Sequence, residues 1–315
     1  MKYGFGVDLG GTTVKIAYFD ENGTMLDKWE IPTVTENGGE GILPDIAASV
    51  KGYIEKNALN KTSLLGIGIG VPGPVIGNGV VKVCDNLGWG TVDVRAILSG
   101  LTGLPVSVGN DANLAALGEG WKGGGKDCPN MVLVTLGTGV GGGIVVDGKQ
   151  VCGVFGAGGE IGHMVLVPDE TEYCNCGKRG CAEQYCSATG IVRVAKRYLE
   201  AHGEESCLRK LEKLTAKDVF DASNAGDAAA QAILEQVYDY MGQFLANISC
   251  VVDPEVFVFG GGVSRAGQPL LEGARRAFDK YVYHASTEVR FALALLGNDA
   301  GAYGAFRLVK DEYGN

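Results

Sequence analysis

The chain has only three histidines, at positions 163, 202 and 284, and a deficit of positive charge. Lys and Arg total 27 against 37 Asp and Glu, a net charge of −10 with a pI near 4.9. A broad phosphate-neutralising surface is therefore not expected, nor is nucleic acid as a partner, though a local Lys or a row of backbone N–H groups can hold one small anion. No long apolar run is present either. A long uncharged stretch, Met131 to Val146, carries five glycines and fails as a membrane span. The start, MKYGFGVDLGG, lacks an apolar signal core and meets Asp8 almost at once, so no signal peptide is expected. The reading is a cytosolic protein with reduced thiols. Nine cysteines is an odd number, and a disulfide framework is the least expected use of them. Collagen period and low-complexity linkers are absent as well.

What the chain has in excess is glycine, 51 of 315 residues, against a usual share of roughly 7%. The glycines cluster in short runs, which points to tight turns and close backbone approaches to ligands. At this length two domains and a substantial core are expected, and a mean hydropathy of +0.10 is globular.

Hydrophobic patterning predicts a strand over 3–9, the turn GGTT and a strand over 14–19,. A helix over 42–57 follows, then the strand LLGIGIGVPGP at 64–74. Gly66, Gly68 and Gly70 leave one face of that strand bare, so something packs or binds close to its backbone,. PVSVGNDANLAALGEGW reads as a strand and a helix capped by Asn110 or Asp111,. MVLVTLGTGVGGGIVVDGK is strand, glycine turn, strand. Helices are expected over 189–199 and 227–248, a strand–glycine–helix unit over 253–267, and a terminal helix over 297–309. LGGT at 9–12 and LGTG at 136–139 echo one another, a short likeness that reads either as chance or as a duplicated domain,. The boundary is expected near 110–113.

Several stretches carry chemistry. In DLGGTTVK, glycines bring backbone N–H groups to an oxyanion, Thr12 and Thr13 add hydroxyls, and Lys15 adds a charge,. Asp8 is placed to hold Mg²⁺ through water. TLGTGVGGG repeats the arrangement, and FGGGVS at 259–264 can seat an adenosine. The alternative for each is a glycine turn with no ligand. Asp111 starts a helix, whose N-terminus favours the carboxylate; it reads as a base for a sugar hydroxyl or as a simple helix cap. His163 with Cys174, Cys176 and Cys181 makes one imidazole and three thiolates, a tetrahedral structural zinc set,. Cys186 is left out of it.

Taken together, DLGGTTVK, GVPGPV, NLGW, GNDANLAALGE, TLGTGVGGG, GEIGHM, CNCGKRGCAE and GGGVS resemble the bacterial ROK family, nearest to its ATP-dependent glucokinases. The resemblance implies an α/β, actin-like, hexokinase-type (ribonuclease H-like) ATPase fold of two domains about a central cleft. Residues 1–111, joined by the terminal helix 299–315, form the small domain and 112–298 the larger, zinc-bearing one. It implies Asp111 as the base toward the sugar 6-hydroxyl. Asn110, Glu160, His163 and Glu183 are implied as further sugar contacts. Asp8, Gly10, Gly11, Thr12, Thr13 and Lys15 match one phosphate motif, and Gly137, Thr138 and Gly139 the other. Gly261 and Gly262 fall where adenosine is expected. His163, Cys174, Cys176 and Cys181 match the zinc ligands, with His163 offering one ring nitrogen to zinc and the other to sugar.

The implied reaction is phosphorylation of glucose by ATP with Mg²⁺. The competing readings are a kinase for N-acetylglucosamine, N-acetylmannosamine or fructose, or a polyphosphate-using kinase. A sugar-sensing repressor is a third, disfavoured because a strand at residue 3 leaves no room for a helix-turn-helix. A non-catalytic sugar-binding module is a fourth, disfavoured by intact Asp111 and both glycine turns. A homo-oligomer, dimer or tetramer, is the default expectation from the family.

Overall fold

The structure, a computed structural model, describes residues 1–77 and 79–314. In chain order the main elements are β1 Tyr3–Leu9, β2 Thr13–Asp20, β3 Met25–Pro32, α1 Ile42–Lys56, β4 Leu64–Val71, β5 Val75–Ile76, β6 Val80–Val81, β7 Val92–Asp93, α2 Val94–Thr102, β8 Val106–Asn110 and α3 Asp111–Lys122. There follow β9 Met131–Leu136, β10 Val140–Val146, β11 Lys149–Gln150, α4 Glu183–Cys186, α5 Ala188–Ala201, α6 Ala216–Asn224, α7 Ala228–Val252, β12 Val256–Gly260, α8 Gln268–Tyr281, β13 Arg290–Leu293 and α9 Ala300–Tyr313. The chain divides into two compact units. Residues 1–129, 143–159 and 295–315 make the first; residues 130–142 and 160–294 make the second.

In the first unit the sheet order is β3-β2-β1-β4-β8, antiparallel through β3, β2 and β1 and parallel from β1 to β8. One face is covered by α1, whose buried Ile42, Ile46, Val50 and Ile54 repeat every four residues, the apolar stripe of a surface helix. They meet Phe5, Val7, Ile67 and Ile69 in one core. The other face is covered by α9, and here the bare strand finds its partner. A Cβ at Gly68 would lie 1.7 Å from the Ala305 carbonyl oxygen, and one at Gly6 2.1 Å from that of Ala302. The face stripped of side chains thus seats a helix backbone rather than a ligand. Helix α9 is equally close to α3, where a Cβ at Gly304 would lie 1.7 Å from the Leu114 carbonyl oxygen.

That packing keeps α3 in the first unit, beyond the boundary expected at 110–113. At its end, buried Glu119 accepts the N–H groups of Gly124, Leu295 and Leu296 at 2.8, 3.0 and 2.8 Å. The carboxylate thereby satisfies three backbone donors where the chain re-enters this unit.

In the second unit β12 runs parallel between β9 and β13. Phe257, Phe278 and Phe291 meet edge to face beneath it, a geometry aromatic quadrupoles favour. Helix α7 closes on α8 through Gly242, whose Cβ would lie 2.5 Å from Ala277. After β12 the chain makes a 3-10 turn, Val263–Ala266, before α8 begins; the sequence suggested a direct strand–glycine–helix junction. Residues 164–182 contain only isolated bridges, Val165–Cys181 and Tyr173–Arg179 among them.

Candidate active site

The first glycine turn joins β1 to β2. Register pairs Asp8 with Lys15 across the two strands, and the ammonium lies 3.6 Å from Oδ2. Burial raises the Asp8 pKa above its ordinary value, and Lys15 works against that shift. Gly301 of α9 makes room for the carboxylate, since a Cβ there would stand 2.8 Å from Cγ. Within the turn, the Gly10 N–H donates to the Thr13 carbonyl at 3.0 Å. From outside it, Thr33 donates its hydroxyl to the Gly10 carbonyl at 2.7 Å and its N–H to the Thr12 carbonyl at 3.0 Å. The N–H groups of Gly11 and Thr12 find no partner among the described residues.

Asn110 and Asp111 stand at the β8–α3 junction. Asn110 is the cap, with its side-chain oxygen accepting the Asn113 N–H at 3.1 Å and its amide donating to the Gly73 carbonyl at 3.1 Å. Asp111, the first residue of α3, accepts the N–H of Ala112 on its Oδ1 at 2.8 Å.

The second unit gathers the remaining residues. The turn 137–139 is closed by the Gly137 N–H on the Gly139 carbonyl at 3.0 Å. Glu183, opening α4, accepts the Val140 N–H at 3.0 Å. A Cβ at Gly139 would lie 2.2 Å from the same carboxylate, so glycine there is what lets Glu183 reach the turn. Two further groups approach from the start of α5. The Ala188 N–H donates to the Gly137 carbonyl at 2.8 Å, and the Thr189 hydroxyl donates to the Thr138 carbonyl at 2.7 Å. The N–H groups of Thr138 and Gly139 find no partner among the described residues.

Around Glu183 lie the metal-type ligands. His163, Cys174, Cys176 and Cys181 bring their ligand atoms within 4.8 Å of one another. His163 Nδ1 is 3.8 Å from Cys174 Sγ, and Cys176 Sγ is 3.6 Å from Cys181 Sγ. A tetrahedral zinc with Zn–S bonds near 2.3 Å spaces its ligands about 3.8 Å apart, so the four residues fit that ion. Burial, followed by hydrogen bonds among the thiols, pushes Cys181 up to about 12; a bound cation reverses this by holding thiolates. Nε2 of His163 points the other way, 4.0 Å from the carboxylate of Glu160. Cys174 Sγ also lies 3.4 Å from the second oxygen of Glu183. Cys186 is fully buried, burial raising its pKa to about 12, and stands outside the cluster.

Gly261, at φ +81, brings the third turn against the end of β9, where a Cβ would lie 2.6 Å from the Leu136 backbone. Beside Gly262 is a cavity of about 450 Å³ lined by Ala188, Thr215, Phe220, Asn224 and Arg265. Ala188 therefore serves both the cavity and the turn 137–139. Neither this lining nor the Thr33 and Thr189 contacts was legible in the sequence. The one available signal was the Ser187 cap of α5, which accepts the Gly190 N–H at 2.9 Å.

The ROK family model matches residues 4–312. The chain is 44% identical to a glucokinase of Halalkalibacterium halodurans, over 98% of this chain and 94% of that one. It is 37% identical to a glucokinase of Thermotoga maritima, over 98% of each. Among solved structures it superposes on a ROK family glucokinase from Streptomyces griseus, in complex with glucose and AMPPNP, with a TM-score of 0.73. That pair is 33% identical, and the likeness covers 98% of this chain and 99% of the other. A match this long, over an α/β chain with two glycine turns and a His/Cys₃ cluster, leaves one conclusion: the chain belongs to the ROK family.

Proposed function

We propose that this protein is a glucokinase, transferring the γ-phosphoryl group of ATP to the 6-hydroxyl of glucose. The observation that carries the reading is the glucose and AMPPNP complex of the Streptomyces griseus relative, similar along nearly the whole chain. Asp111 takes the proton of the 6-hydroxyl as its oxygen attacks the γ-phosphorus and the bond to the ADP oxygen breaks. A loose phosphoryl-transfer transition state asks mainly for positioning and charge neutralisation, so a modest base suffices. The unpartnered N–H groups at Gly11, Thr12, Thr138 and Gly139 are the donors for phosphate oxygens, with Lys15 adding charge. Gly261 and Gly262, beside the cavity on α6, are assigned to adenosine. Asp8 offers the hard oxygen that Mg²⁺ takes, usually through water.

Asn110, Glu160, His163 and Glu183 are assigned to the sugar hydroxyls. A neutral polyol presents no charge, so selectivity needs several fixed donors and acceptors. His163, Cys174, Cys176 and Cys181 would hold a structural Zn²⁺, which cross-links their segments and fixes the ring of His163. That Nδ1 faces the thiols while Nε2 faces Glu160 supports the double use of this imidazole.

We further read the protein as cytoplasmic and homo-oligomeric. Among the described residues no helix is long and apolar enough to cross a membrane. Val154, Phe155 and Val251 expose apolar side chains that self-association would cover,, and sedimentation measures it.

The test of the main reading is a panel of glucose, fructose, N-acetylglucosamine and N-acetylmannosamine, each with ATP or polyphosphate and Mg²⁺, followed by product formation. Glucose with ATP is expected to give the highest kcat/KM. A higher value for any other pair overturns the assignment.

A further inference from the structure

The turns at 10–12 and 137–139 are each gripped from outside by a threonine that belongs to no motif. We propose that Thr33 and Thr189 are positioning residues for phosphate recognition, each locking the peptide planes of one turn so that its free N–H groups face the anion. This rests on the reading of the two turns as phosphate sites.

A trans peptide points its C=O and N–H in opposite directions, and no cis bond occurs among the described residues. In the second unit the carbonyls of Gly137 and Thr138 are both drawn toward the start of α5, by the Ala188 N–H at 2.8 Å and the Thr189 hydroxyl at 2.7 Å. The N–H groups of Thr138 and Gly139 must then face away from α5. The flanking donors are already occupied, that of Gly137 inside the turn and that of Val140 on Glu183. Two adjacent donors remain, both aimed to the same side. Thr189 is itself fixed, because it sits in the first turn of a helix capped by Ser187.

The first unit uses the same device on a different scaffold. Thr33, just beyond β3, draws the Gly10 carbonyl with its hydroxyl at 2.7 Å and the Thr12 carbonyl with its N–H at 3.0 Å. The Gly11 N–H, across the peptide from the Gly10 carbonyl, is turned the opposite way, and the Gly10 N–H is spent within the turn, so Gly11 is the donor that Thr33 orients. Glycine-rich backbone has many accessible conformations, so a turn without such an anchor presents its donors only part of the time. Neither threonine needs to touch the nucleotide to matter.

The experiment uses the full-length Thr33→Val and Thr189→Val variants, which keep side-chain shape and remove only the hydroxyl. Calorimetry measures ADP with Mg²⁺, adenosine and glucose on each. ADP affinity is expected to fall about 5- to 10-fold per variant, the scale of one lost hydrogen bond. KM for ATP should rise in step, with adenosine and glucose affinities unchanged. Thr33→Ser and Thr189→Ser should restore ADP binding to within about twofold. Unchanged ADP affinity, or equal weakening of ADP and adenosine, overturns the role of the threonine concerned. Amide NMR of the unsubstituted protein separates the underlying reading: ADP but not adenosine should shift the Gly11, Thr138 and Gly139 amides. If those amides stay still, the phosphate assignment fails whatever the valine variants do.

Discussion

At the scale of single residues, the assignments differ in how much else depends on them. Asn110, not Asp111, caps α3 at the Asn113 N–H, and Asp111 accepts the N–H of Ala112. Asp111→Ala should therefore fold normally yet lose at least about 100-fold in kcat, the contribution of a general base; near-normal turnover would remove it from the mechanism. Glu170 is the opposite case, a structural carboxylate. It is buried, meets Arg193 at 2.8 Å and Arg197 at 2.9 Å, and accepts the Tyr185 hydroxyl. The Arg197 hydrogen bond, opposed by burial, leads in holding its pKa far below the usual 4.5. A depressed folded pKa gives stability that is full above the unfolded value and lost as pH falls below it. Glu170→Gln should thus be destabilised by about 3 kcal/mol at neutral pH, with the gap from the unsubstituted protein narrowing below about pH 4.5. Urea midpoints across pH check this, and a gap that stays constant in acid would refute it.

At the scale of elements, close backbone contact replaces side-chain packing. Gly68→Ala would press a methyl group into the Ala305 carbonyl at 1.7 Å. Two packed backbones cannot both yield, so a loss of about 3 kcal/mol or more is expected, read as a shift in denaturant midpoint. The His163, Cys174, Cys176 and Cys181 cluster is the other element-scale device. Purified protein should carry about one zinc per chain, and Cys176→Ser should lose it, by elemental analysis. The patterning of β1, β4, α1 and α7 was legible because apolar periodicity is local. So was the grouping of Cys174, Cys176 and Cys181, which lie amid Gly, Lys and Arg that a core does not use, and which the structure brings together with His163. The packing of α9 on the bare face of β4 was half legible: Gly68 announced a close approach, but its partner lies more than two hundred residues away. Thr33 and Thr189 were illegible because a hydroxyl on a distant carbonyl leaves no spacing rule behind.

At the scale of the whole molecule, the two units draw stability from different sources. The first depends on the α1 and α9 packing of its sheet, whereas the second adds the metal-type cluster over 163–181. Chelation is therefore expected to raise hydrogen exchange over residues 163–186 while β1 and β4 keep their protection. Uniform loss of protection would show that the cluster supports both units equally. The division of the chain also bears on synthesis. The first unit is assembled from 1–129, 143–159 and 295–315, and α9 covers the bare faces of β1 and β4. A ribosome making this chain delivers that sheet well before the helix that covers it. Roughly the time needed to add 170 residues, on the order of ten to thirty seconds in a cell, separates α3 from the helix it packs against. During that interval the glycine-rich strand faces are uncovered, and chaperone binding to nascent chains halted before residue 295 would reveal it.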